Sequence, residues 1–149
     1  PLARLDLAEK LSSQLKISLQ QGAQLVLGGD RDNCNFQPTL IDFVDANNIT
    51  FQEETFGPLA TLIRAKDEND AVSIANNHRY GLAAAIWTED RDRAYQLARK
   101  IEAGNVFVNS LVRSDSRIPF GGIKKSGYGR ELSEIGIKEF MNMKSVIIE

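Results

Sequence analysis

Leucines recur at every fourth position near the start of the chain (Leu7, Leu11, Leu15 and Leu19), with Glu9, Lys10, Lys16 and Gln20 set around them. That spacing predicts an amphipathic helix from Asp6 to about Gln21 with its leucines on one face. Asp6 is placed to cap its first turn, Glu9 holds the capping-box position and Gly22 can end it. Gln24 to Leu27 then reads as a short strand stopped by Gly28-Gly29. Residues 30–36 read as polar loop, Thr39 to Val44 as an apolar stretch and Leu59 to Arg64 as a further strand. A helix from about Glu68 to Asn77 has Asp67 as its cap. Leu82 to Trp87, small and apolar, has the composition of a strand buried on both faces. Thr88 to Ala103 reads as a helix with Ala94, Leu97, Ala98 and Ile101 inward and Gly104 closing it. Asn105 to Val108 is a strand, residues 109–129 a long loop, Arg130 to Met141 one or two short helices, and Ser145 to Ile148 a terminal strand.

Helices alternating with short apolar strands indicate an α/β architecture in which helices pack on a mostly parallel sheet. No repeat or low-complexity segment interrupts it. The 109–129 loop is long for a compact domain, and loops of that length are commonly functional. It follows a strand, where open α/β sheets place their ligand sites.

The 149 residues, 42% of them hydrophobic, suit one compact domain with its own core. With 18 basic and 20 acidic side chains the net charge is -2, which argues against a nucleic-acid binder. No apolar run is long enough to cross a membrane and the chain opens without a basic-then-apolar signal, so a cytoplasmic setting is expected. The lone Cys34 cannot form an internal disulfide and supplies too little thiol for a structural zinc site; no metal is expected. Asn48-Ile49-Thr50 fits the glycosylation pattern by chance. Pro1-Leu2-Ala3-Arg4 lacks an opening methionine, which reads as a chain cut or processed from a longer one.

Two stretches stand apart chemically. Glu53-Glu54-Thr55-Phe56-Gly57-Pro58 joins carboxylates, an aromatic ring and a fixed bend. Either a carboxylate takes the paired hydroxyls of a ribose beside the ring, or the segment is a loop with two solvated acids and a core phenylalanine. Pro119-Phe120-Gly121-Gly122-Ile123-Lys124-Lys125-Ser126-Gly127-Tyr128-Gly129-Arg130-Glu131 is glycine-rich, so its backbone turns with positive φ or closely approaches something. Lys124 replaces the glycine a phosphate loop needs before Lys-Ser, and Leu132 breaks the dinucleotide fingerprint.

Taken together and in this order, the two stretches resemble the aldehyde dehydrogenase superfamily. Pro1 to Leu7 is similar to the segment shortly after that family's catalytic cysteine. Asn105-Val106-Phe107-Val108-Asn109 is similar to its strand entering the substrate loop, and Lys144-Ser145-Val146 to the start of its final strand. The resemblance implies that residues 1–143 are the C-terminal part of the catalytic domain and 144–149 an oligomerisation strand. It implies NAD or NADP as cofactor, with Glu54 on the nicotinamide ribose and Phe56 beside the nicotinamide. Phe120 would wall the aldehyde tunnel, and Asn109 to Ile118 would frame its mouth. It further implies a homo-oligomer, dimer or tetramer, taking a small-molecule aldehyde, with no nucleic acid or membrane partner.

The family's cysteine nucleophile, oxyanion donor and glutamate base all lie upstream of the matched region. No catalytic residue is therefore expected in this chain, which alone should be inactive. Cys34 lies in a surface turn without basic neighbours and reads as an incidental thiol; His78 lies at a helix end. Ser114 is similar to a serine that succinate-semialdehyde dehydrogenases use to bond the substrate carboxylate, and Ser114-Asp115-Ser116-Arg117 is similar to a bacterial branch of them, which implies oxidation of succinate semialdehyde to succinate. A carboxylate leaving water needs a donor or a cation, and Arg117 or Arg113 could serve. The arginines could equally be solvated or paired with Asp115. Two other readings stay open: a non-catalytic assembly or regulatory module, and a dehydrogenase for another semialdehyde or an amino-aldehyde.

Overall fold

The first helix takes its place from its apolar stripe. In a computed structural model describing residues 1–149, α1 spans Leu5–Gln20 and buries Ala8, Leu11, Gln14, Leu15 and Ser18. The leucine face is the one that meets the core, with Leu11 and Leu15 buried, Leu19 packed against the core and Leu7 half-buried. The spacing does not show that two polar residues, Gln14 and Ser18, are buried within it. Asp6 is not the cap. Arg4 occupies that position, and Asp6 in the first turn bonds its guanidinium at 2.9 and 2.6 Å. Gly22 follows the helix at φ +104, a conformation open to glycine.

The chain divides into two compact units, Pro1–Asn77 and His78–Glu149. In the first, β1 (Gln24–Leu27), β4 (Thr39–Asp42) and β5 (Leu59–Thr61) form a sheet in the order β1-β4-β5. The β1–β4 pair is antiparallel and the β4–β5 pair parallel. Leu11 and Leu15 of α1 close over Ile41, Phe36, Val44, Phe51 and Leu59 to make the core. The predicted polar loop 30–36 is a hairpin of β2 (Arg31–Asp32) and β3 (Asn35–Phe36), its turn made possible by Asn33 at φ 51. Residues Ile49–Gln52 form a short helix, α2. Helix α3, Glu68–Asn76, has the predicted Asp67 cap, whose carboxylate accepts from the Asp70 N–H at 2.9 Å.

In the second unit β6 (Tyr80–Gly81) pairs antiparallel with β9 (Ile123–Lys124), and β7 (Ala83–Ile86) pairs parallel with β8 (Asn105–Val108). Helix α4 spans Arg91–Ala98, shorter than predicted because the Asp90 carboxylate caps it at the Arg93 N–H. A last helix, α5, spans Ser133–Lys138.

The architecture is α/β, as expected, but the sheets are mixed. Two strand pairs are parallel and three antiparallel, because hairpins and the β6–β9 pairing accompany the βα crossovers. Strand β7 is not buried on both faces: Ala85 is exposed, and so is the flanking Trp87. Ser145 to Ile148 forms no strand within this chain, and Val146, Ile147 and Ile148 are exposed. The composition suits a strand, but no other strand lies against it here.

Candidate functional site

The 53–58 turn is built on helix α1. Buried Gln14 donates from Nε2 to the Glu54 carbonyl at 3.2 Å. At the other end Gly57 presses on the helix: a Cβ added there would stand 2.4 Å from Leu11 Cδ2 and 3.1 Å from Leu2 Cδ2. The Pro58 carbonyl accepts from the Thr39 N–H at 2.8 Å, which leads the chain into β5 beside β4. The turn's entrance is fixed by α2, whose cap is Asn48. Its Oδ1 accepts from Ser18 Oγ at 2.7 Å, Thr50 Oγ1 at 2.8 Å and the Thr50 N–H at 3.1 Å. Its Nδ2 donates to the Ser18 carbonyl at 3.1 Å. Asn48 is 1% exposed, so the apparent glycosylation motif is a buried polar anchor.

Between these anchors Glu54 and Phe56 point outward. Glu54 is exposed and its carboxylate takes no hydrogen bond or ion pair in the chain; Phe56 is 62% exposed and so is not a core phenylalanine. A free carboxylate, a flat apolar ring and a closely packed glycine on a pinned turn fit the sugar and ring of a nucleotide cofactor.

The glycine-rich stretch owes its composition to backbone stacking. A Cβ on Gly104 would fall 1.8 Å from the Gly121 carbonyl oxygen, and one on Gly121 would fall 2.6 Å from that of Gly129. Phe120 and Glu131 exchange backbone hydrogen bonds of 2.9 and 2.8 Å that close the stretch into a loop. Arg130 Nη1 donates to the carbonyls of Gly122 at 2.9 Å and Gly129 at 2.6 Å, and Asn105 Nδ2 to that of Gly121 at 3.0 Å. Ser126 Oγ accepts from the Gly81 N–H at 3.0 Å. Half-buried Phe120 lines a groove with Leu82, Gly122, Arg130, Glu131 and Phe140.

Asn109 stands at the mouth of the preceding loop with φ 50; its side chain accepts from the Thr88 N–H at 2.9 Å and donates to the Thr88 carbonyl at 2.7 Å. It extends the β7–β8 pairing by one rung. Arg117 makes a two-point bond to Asp115, Nε to Oδ1 at 2.9 Å and Nη2 to Oδ2 at 2.6 Å. The Arg117 guanidinium, and then the Arg117 backbone N–H, hold the Asp115 carboxyl well below the usual carboxylate range. Arg117 is thus paired with Asp115, and it lines a second groove with Glu131, Leu132 and Ile137. The two grooves share Glu131 and Phe140, so Phe120 and Arg117 lie around common residues, whereas Ser114 is exposed and lines neither. Residues 109–118 contain two arginines and one aspartate, leaving one net positive charge.

Residues 1–146 match the family model described as the aldehyde dehydrogenase family. This chain belongs to the aldehyde dehydrogenase family. It is 44% identical over 149 residues to the succinate semialdehyde dehydrogenase [NAD(P)+] Sad of Escherichia coli (strain K12), covering 98% of this chain and 32% of the relative. It is 40% identical to the succinate-semialdehyde dehydrogenase [NADP(+)] of Deinococcus radiodurans, covering 98% of this chain and 31% of that protein. The crystal structure of succinic semialdehyde dehydrogenase from Streptococcus pyogenes with NADP+ superposes with a TM-score of 0.95 at 37% identity, covering 99% of this chain and 33% of that one. The chain thus spans about a third of the length of these relatives.

The leucine spacing gave no hint of Gln14 or Asn48. Their signal was available all the same: Gln14 is a polar residue set inside an apolar helical stripe, and Asn48 stands where an N-cap belongs.

Proposed function

We propose that the complete protein containing this segment is an NAD(P)-dependent aldehyde dehydrogenase that oxidises succinate semialdehyde to succinate. The observation that carries the reading is the pinned 53–58 turn with its free Glu54 carboxylate. That carboxylate would accept hydrogen bonds from the nicotinamide ribose hydroxyls, each worth roughly 1.5–3 kcal/mol, while Phe56 shields one side of the ring. Bound there, the nicotinamide supplies the hydride acceptor. Phe120 would keep the aldehyde's path apolar and exclude water.

The substrate's distal carboxylate needs a donor or a cation to replace its lost water. Ser114, exposed in a loop of net positive charge, would donate from its hydroxyl. Arg117, neutralised by Asp115, would act mainly by shaping that loop, with Arg113 as the remaining cation. The names of the Escherichia coli and Deinococcus radiodurans relatives favour the same substrate.

No residue of this segment is assigned the thiol, oxyanion or base role. Cys34 is half-buried in the β2–β3 turn, its carbonyl bonded by the Leu2 N–H at 2.7 Å. The segment alone would therefore turn over no aldehyde. Residues 1–143 would serve as part of the catalytic domain. The exposed 144–149 tail would join a neighbouring subunit's sheet in a dimer or tetramer. No helix of the chain is long and apolar enough to cross a membrane.

Turnover of the complete protein with succinate semialdehyde, hexanal and benzaldehyde tests the substrate, and preference for either uncharged aldehyde rejects it. Sizing the protein with and without residues 144–149 tests the tail: loss of the oligomer is expected.

A further inference from the structure

Helix α1 carries a polar side chain where its packing calls for an apolar one. Gln14 lies on the same buried face as Ala8, Leu11, Leu15 and Ser18 and is itself only 4% exposed. A buried amide is unfavourable unless it is bonded, and a leucine would fill the position without that demand. The bond Gln14 makes goes neither to its own helix nor to another side chain. Nε2 reaches the carbonyl oxygen of Glu54, at 3.2 Å and forty residues further along the chain. That carbonyl belongs to the peptide unit leaving Glu54, so holding it fixes the rotation of the backbone at Glu54 and the direction in which its carboxylate leaves the turn. One helical turn earlier, Leu11 is the surface on which Gly57 is seated. The turn from Glu54 to Gly57 is therefore clamped to one helix at both ends, with the carboxylate and the Phe56 ring held out between the clamps.

We propose that Gln14 is a positioning residue for the nicotinamide end of the cofactor, acting through the Glu54 backbone; the inference rests on the reading of Glu54 as the ribose ligand. Its role is distinct from general packing, because its effect falls on one half of the dinucleotide. The adenine half gains nothing from the direction of the Glu54 carboxylate.

The test uses the complete enzyme with Gln14→Met, which keeps length and removes the donor, alongside Glu54→Gln and the double variant. Affinities for NAD+ and for ADP, which lacks the nicotinamide ribose, are measured calorimetrically together with the melting temperature. Gln14→Met should weaken NAD+ binding by about three- to tenfold, the loss expected of one hydrogen bond, and leave ADP binding unchanged. The double variant should bind NAD+ no more weakly than Glu54→Gln alone, since both changes act through one carboxylate. Gln14→Leu, suited to the apolar stripe, provides a second donor-free variant should the methionine variant fail to fold. Equal weakening of NAD+ and ADP, or effects of Gln14→Met and Glu54→Gln that simply add, would overturn the positioning role. If Glu54→Gln weakens NAD+ binding and neither donor-free variant does, the inference fails while the ribose reading stands. If Glu54→Gln leaves NAD+ binding unchanged, both fail.

Discussion

The 53–58 turn and the 109–118 loop both present side chains to solvent, yet they are held in opposite ways. The turn hangs on buried groups: Gln14, the Leu11–Gly57 contact and the Asn48 amide with Ser18 and Thr50 beneath its entrance. The loop is held at its surface by the Asn109 clasp on Thr88, the exposed Arg117–Asp115 pair and a Ser133 N–H bond of 3.0 Å to the Ser116 carbonyl. Buried anchors resist local opening, whereas exposed polar contacts exchange with water at little cost. In the proposed roles, the firmly held turn suits the cofactor, and the surface-held loop suits the substrate because its residues can change without unsettling a core.

The comparison is broken most directly at its strongest anchor. Asn48→Ala removes the cap of α2 and takes the shared acceptor from the buried Ser18 and Thr50 hydroxyls, which keep only each other at 3.2 Å. It also takes the Nδ2 donor from the Ser18 carbonyl, and together these losses should cost about 3 kcal/mol in urea unfolding. A loss below about 1 kcal/mol would show that the turn is not held by buried polar groups. Gly57→Ala comes next. Its Cβ would stand 2.4 Å from Leu11 Cδ2, so the Leu11 side chain, 1% exposed, must shift within the core, and overpacking of this kind costs about 1–3 kcal/mol. The expected result is a lower urea midpoint together with weaker NAD+ binding, as the turn lifts from α1.

What the sequence revealed follows the same division. Strand β8 occurs over the predicted residues, and α3 begins at its predicted cap, because both are set by short-range rules. The leucine face of α1 is legible from its spacing, but Gln14 and Ser18 within it are not, because their burial depends on Glu54 and Asn48, which lie far along the chain. The β2–β3 hairpin was missed because it rests on one asparagine with positive φ in a polar run. Ser145–Ile148 has the composition of a strand but forms none in this chain, since composition alone supplies no partner to pair with. The two candidate stretches were legible as motifs, but the anchors beneath Glu54 are 40 and six residues away, and only packing joins them. Arg117 was legible as a cation; that Asp115 holds it became clear only from geometry.

On the loop side, changes should touch the ligand more than the fold. Ser114 is exposed and makes no bond that the loop needs, so Ser114→Ala should leave the urea midpoint unchanged. In the complete enzyme the same change should raise KM for succinate semialdehyde about tenfold, as expected when a hydrogen bond to a carboxylate is lost, and leave KM for hexanal unchanged. Equal effects on both aldehydes would remove Ser114 from the carboxylate site.

The smallest effect belongs to Asp115. Its carboxyl is held below the usual range, first by the hydrogen bond from the Arg117 side chain and next by the Arg117 backbone N–H. A carboxylate depressed on folding stabilises the folded state only above its unfolded value of about 3.9, and that contribution fades as pH falls through the lower folded value. Asp115→Asn should therefore produce a small stability difference that is constant from pH 5 to 8. It should shrink as the solution is acidified below about pH 4, where the parent carboxylate is progressively discharged. Arg117 faces water and Asp115 is only half-buried, so added salt should diminish it further. Urea melts of parent and variant across pH 2–8, at low and high salt, decide the matter. A difference approaching that of Asn48→Ala, or one that grows on acidification, would mean that the loop is anchored as firmly as the turn.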